Sequence, residues 1–101
     1  MARIETAPEV LNDFERFFDH IAQFDAGAAP ARLDEILVAI QVLSTSPLIG
    51  RPAKNGLREL VIGKGTRGYV ALYRYVAPID TVFVLSIRSQ REAGYQGRDD
   101  G

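Results

Sequence analysis

The chain has 101 residues, 47% hydrophobic and 25% charged, with nine Gly, five Pro, no Cys and a formal net charge of −1. That length fits one domain with one modest core, and an ordinary apolar content with little net charge excludes a disordered or fibrous chain. The lack of Cys excludes disulfide scaffolds and thiolate metal sites. The longest uncharged stretch, the fifteen residues from Ile36 to Gly50, is too short and too polar to cross a bilayer. Arg3 and Glu5 interrupt the N-terminus before a signal-like apolar run. A cytoplasmic protein with no membrane partner is expected.

In chain order, Arg3 to Thr6 reads as a short strand. Thr6-Ala7-Pro8-Glu9 has the form of a capping box, with Pro8 suited to a first helical turn. Val10, Phe14, Phe17, Ile21 and Phe24 then recur at spacings of four, three, four and three, which predicts a helix over 7–24 with one buried stripe. Pro30 opens a second helix whose buried stripe is Leu33, Ile36, Leu37, Ile40 and Leu43, and Ser46-Pro47 ends it. A linker this short makes the two helices an antiparallel hairpin.

Pro47 to Gly56 is rich in Pro and Gly and reads as a loop. Three strands follow, at 57–62, 69–76 and 81–89. Short connections make them antiparallel hairpins. In the last strand, alternation sets Phe83, Leu85 and Ile87 against Val82, Val84, Ser86 and Arg88, placing Arg88 on the face away from the helices. The fold class is therefore α+β: an N-terminal strand, then a helical hairpin on one face of a small, mostly antiparallel twisted sheet, in the order β-α-α-β-β-β. Residues 1–95 form the single domain, and 96–101 a polar tail expected to fray.

The charge is unevenly placed. Residues 1–50 carry three basic and eight acidic side chains, whereas residues 51–98 carry nine basic and three acidic ones. A half with that bias attracts a polyanion or an acidic protein segment. The lone His20 shares the polar side of the first helix with Asp13 and Arg16, and no His/carboxylate set has metal-ligand spacing. No metal and no cofactor are expected. The Gly63–Gly68 segment fails the phosphate-loop pattern and joins two strands. Arg, Lys and Tyr remain. Arg88, Arg91 and Tyr95 fall within one short segment. Guanidinium groups hold phosphate bidentately, and a phenol among cations can transfer protons or stack on a base. Arg51, Lys54, Arg58 and Arg74 are the further candidate cations for binding RNA or an acidic protein segment. Parity alone does not place Arg58 and Arg74 beside Arg88.

Leu43-x-x-x-Pro47-x-x-Gly50-Arg51-Pro52, Leu57-Arg58-Glu59-Leu60, Gly68-Tyr69-x-x-x-Tyr73-Arg74-Tyr75 and Val84-Leu85-x-Ile87-Arg88, in that order, resemble the RelE/ParE superfamily of bacterial toxins. The resemblance covers about residues 3–95. It implies the toxin half of a type II toxin–antitoxin pair, neutralised by an antitoxin whose acidic or amphipathic segment wraps it. Two activities divide that superfamily: ribosome-associated mRNA cleavage and inhibition of DNA gyrase. Arg91-Glu92-Ala93-Gly94-Tyr95 resembles the ribonuclease branch and implies Arg88, Arg91 and Tyr95 as catalytic residues, whereas Pro47-Leu48-Ile49-Gly50-Arg51 resembles the gyrase branch. Val70 stands where ribonuclease members tend to have Arg, and Ser89 where many relatives carry His. The expectation is an mRNA-cleaving toxin, with gyrase inhibition, or an interaction module of the same fold without toxicity, as the alternatives.

Overall fold

Apolar residues at helical spacing close the first half of the chain into two helices, and alternating residues lay the second half out as a sheet. The computed structural model describes residues 1–25, 27–63 and 68–89. Strand β1 (Arg3–Thr6) leads into α1 (Pro8–Asp25) and α2 (Ala29–Gln41), the latter opened by Pro30 and ended by a 3-10 turn over Val42–Ser44. Then come β2 (Arg51–Pro52), β3 (Arg58–Ile62), β4 (Tyr69–Val76) and β5 (Thr81–Ser89).

The five strands form one sheet in the order β1-β5-β4-β3-β2, with β1 parallel to β5 and every other pair antiparallel. The α+β architecture and strand order along the chain agree with the sequence reading, apart from one addition. Strand β2 lies inside the segment expected to be a loop. Two residues are too few to show alternation, and Pro52 is tolerated because β2 is an edge strand.

Both helices pack on one face. Val10 and Phe17 from α1 and Ile36 and Ile40 from α2 meet Tyr69, Ala71 and Tyr73 of β4 and Val82, Val84 and Ile87 of β5. The Phe17 and Tyr69 rings lie 5.0 Å apart at a tilt of 51°, a favourable aromatic geometry.

Val84 and Ile87 are three residues apart yet both fully buried. Simple alternation sets them on opposite faces, as the sequence reading did. A β-bulge resolves the conflict: pairing passes from Tyr73–Val84 directly to Leu72–Ser86, leaving Leu85 without an opposite residue. The extra residue resets the alternation, so Val82, Val84 and Ile87 all face the helices. Phe83 and Arg88 lie on the outer face, so Arg88 is on the expected side although the parity argument behind it fails.

Asp13 corrects a second expectation. It is not on the polar side of α1 but is only 9% exposed. Strand β1 accompanies β5 only as far as Val84, so beyond it one edge of β5 has no strand beside it. There the Ile87 N–H donates to Asp13 Oδ2 at 2.9 Å, while Oδ1 lies 3.3 Å from Arg16. The carboxylate satisfies a backbone donor that would otherwise be buried without a partner.

Candidate functional site

The sheet face turned away from the helices carries three of the candidate cations, Arg51, Arg74 and Arg88. Paired residues on neighbouring strands point the same way, so the register reads out this face row by row. One row is Arg51–Glu59–Leu72–Ser86; the next are Val61–Val70–Arg88 on one side and Arg74–Phe83–Glu5 on the other. The result is an apolar floor of Val61, Leu72 and Phe83, with Val70 buried beside it and Arg51, Arg74 and Arg88 placed around it. At the β1 edge, Arg3, Glu5, Ile79, Thr81, Phe83 and Leu85 border a shallow groove of about 320 Å³.

Arg58 does not belong to this face. It pairs in register with Tyr73, a fully buried core residue, and so points to the helix side. There Nη1 donates to the carbonyl oxygens of Gly50 at 2.8 Å and Leu48 at 3.2 Å. Arg51 and Arg74 are also tied to the chain. Arg51 Nε donates to Glu59 Oε1 at 2.9 Å. Arg74 Nη2 donates to the Asn55 carbonyl at 3.0 Å, bracing the turn over Lys54–Gly56 that carries exposed Lys54. Asn55 and Gly56 hold left-handed backbone there, with φ of 61° and 75°.

Spacing decides what these cations can do. Arg74 and the Arg88 row are four residues apart along β4, about 13 Å. A bidentate phosphate clamp needs its donors within a few ångströms of one group. The described cations are instead spread over an apolar surface, which suits a long, amphipathic, acidic partner better than one phosphate. Arg91 and Tyr95, the other two expected catalytic residues, lie outside the described residues. Among the described residues, no three His, Asp or Glu side chains come together to hold a metal, and no helix is long and apolar enough to cross a membrane.

Tyr75 and Asp80 form a separate polar pair beside the β4–β5 turn. The Tyr75 hydroxyl donates to Asp80 Oδ1 at 2.6 Å. That bond, then desolvation and the nearby negative charge, raises the phenol pKa above its ordinary 10.0. Sequence reasoning missed this pair, Asp13 and the Arg58–Gly50 contact. The signal for Asp13 was present: it sits three residues after Val10 and four before Phe17, within the buried stripe.

The chain from residue 4 to 94 matches the family model described as the ParE toxin of the type II toxin–antitoxin system parDE. It is 30% identical over 92 residues to toxin RelE3 of Caulobacter vibrioides, covering 91% of this chain and 98% of that protein. The fold is similar to a chain of the chromosomal ParDE toxin–antitoxin system of P. aeruginosa, with a TM-score of 0.75 and 18% identity, covering 88% of this chain and 96% of that one. It is also similar to a chain of the intact E. coli RelBE toxin–antitoxin complex, with a TM-score of 0.58 and 15% identity over the same shares.

Proposed function

The chain belongs to the ParE toxin family of type II toxin–antitoxin systems, and on that premise we propose that it arrests growth by binding a protein target, DNA gyrase being the one the resemblance implies. The observation that carries this reading is the state of the described cations. Arg51, Arg58 and Arg74 are each bonded within the chain, and the strand register sets Arg74 and the Arg88 row four residues apart along β4. A metal-free ribonuclease needs converging cations to offset charge in the transition state. A binding inhibitor needs a shaped surface.

The outer face is the antitoxin's site in this reading. Its apolar floor accepts the buried side of an amphipathic segment, and Arg51, Arg74 and Arg88 meet that segment's carboxylates. The outer edge of β3 beyond β2, over Leu60 to Ile62, adds a place for backbone pairing. Two of the similar folds come from systems named for a toxin with its antitoxin, which supports a protein partner of this kind.

Ribosome-associated mRNA cleavage is the second reading. Its support is the full-length similarity to RelE3 and the placement of Arg88 on the outer face near the end of β5, three residues before Arg91 and seven before Tyr95. Expression without antitoxin separates the two. Gyrase inhibition predicts lost negative supercoiling of a reporter plasmid with full-length transcripts. Cleavage predicts transcripts cut within codons, relieved by Arg91→Ala or Tyr95→Phe, with supercoiling intact.

A further inference from the structure

Leu48 and Ile49 are consecutive large aliphatic residues, each 58% exposed, at the corner between α2 and β2. The backbone that carries them is fastened from the core. Arg58 Nη1 donates to the carbonyls on both sides of Ile49, those of Leu48 and Gly50. The buried Tyr73 hydroxyl accepts from Gly50 N–H at 2.9 Å, and Ile49 N–H donates to Ser46 O at 3.1 Å. A Cβ at Gly50 would lie 2.6 Å from the Tyr73 hydroxyl oxygen and 2.8 Å from the Glu59 carbonyl oxygen, so only Gly fits. Ser46 N–H donates in turn to Val42 O, which brings the partly exposed Val42 within a turn of the corner.

Backbone satisfaction explains the clamp, because buried carbonyls and amides need partners. It does not explain the side chains, since polar residues at positions 48 and 49 would leave every one of those bonds in place. We propose that the Leu48–Ile49 corner is a preorganised apolar plug that the toxin seats in an acidic-rimmed pocket of its protein target. Holding the loop before binding removes the ordering cost that a mobile loop carries. The acidic rim follows from charge: residues 48–59 carry Arg51, Lys54 and Arg58 against one carboxylate, Glu59, which pairs with Arg51. Nucleic acid is the poorer partner, because bases are held by stacking on aromatic rings and this corner carries none from Pro47 to Leu57. The clamp reaches the corner from the helix side of the sheet, although Arg51 beside the plug also belongs to the outer face assigned to the antitoxin.

This proposal rests on the reading of the chain as a binding inhibitor of gyrase. Its test is an in vitro supercoiling assay with purified gyrase and the full-length toxin. The double variant Leu48→Ser/Ile49→Ser is expected to need at least about ten-fold more protein for half inhibition, as truncated contact anchors do, with its melting temperature unchanged. Tyr73→Phe, which loosens the clamp and keeps both aliphatic side chains, is expected to weaken inhibition by about three-fold. Equal inhibition by wild type and double variant overturns the plug and leaves the gyrase reading standing. Failure of the wild-type toxin to inhibit gyrase, with arrest of cell-free translation instead, overturns both. Loss of antitoxin binding by the double variant reassigns the corner to the antitoxin and overturns its separate role.

Discussion

The two faces of the sheet are made of the same strands and differ in what their side chains are for. On the helix side, Tyr73, Val82, Val84 and Ile87 are fully buried, and Asp13, Arg58 and the Tyr73 hydroxyl each hold backbone atoms. On the outer side, apolar residues are interleaved with Arg51, Arg74 and Arg88, and the ion pairs Arg51–Glu59 and Arg3–Glu5 lie at the surface. One face is held by packing and satisfied hydrogen bonds, which set stability. The other mixes aliphatic floor and cationic rim, which is the composition of an interface rather than of a core. Substitutions on the two faces therefore separate stability from binding.

The largest effect is expected from Leu43→Ala. Leu43 is fully buried in the 3-10 turn that follows α2, and its truncation is expected to cost about 2–5 kcal/mol by chemical denaturation. Asp13→Ala removes the acceptor for Ile87 N–H, leaves that amide buried without a partner, and is expected to cost about 1–3 kcal/mol. A change within a few tenths of a kcal/mol would show that water replaces the carboxylate and that the β5 edge is open.

Substitution on the outer face should give the reverse pattern. Arg74→Ala is expected to change stability by about 0.5 kcal/mol or less. Antitoxin affinity, measured by calorimetry, should fall several-fold, and more at low salt than at high salt because exposed charges are screened. Equal affinity at all salt concentrations would remove Arg74 from the interface.

The smallest effect concerns Tyr75. Its raised pKa means that the folded state favours the neutral phenol. Any stability from the Asp80 bond is therefore complete below pH 10 and is lost as pH rises through the folded value. Ultraviolet titration should place one tyrosine above the ordinary range, and Asp80→Gly, which suits the left-handed backbone at φ 45°, should bring it back. An unchanged titration curve in that variant would assign the shift to another cause.

Much of this architecture was legible in the residues. The strand at 69–76, the strand at 81–89 and both helices follow from periodicity and from Pro and Gly punctuation, because each is long enough to show its period. Side-chain direction was less legible. A bulge depends on how β4 and β5 pair, so Leu85 carries no local mark of being the unpaired residue. Arg58 and Arg74 look alike in sequence, and only the pairing of Arg58 with Tyr73 sends it to the helix side. Asp13 stands at a buried-stripe position, but the amide that it satisfies lies 74 residues away, so its partner was not legible. Arg91 and Tyr95 lie outside the described residues, so their proposed catalytic role rests on the resemblance.

Methyl NMR of the toxin titrated with its antitoxin tests the division between the faces most directly. The account predicts that the methyl signals of Val61, Leu72 and Leu85 shift on binding while those of Val82, Val84, Ile36 and Ile40 stay in place. Shifts confined to methyls of the helical hairpin, with the outer-face signals unmoved, would contradict it.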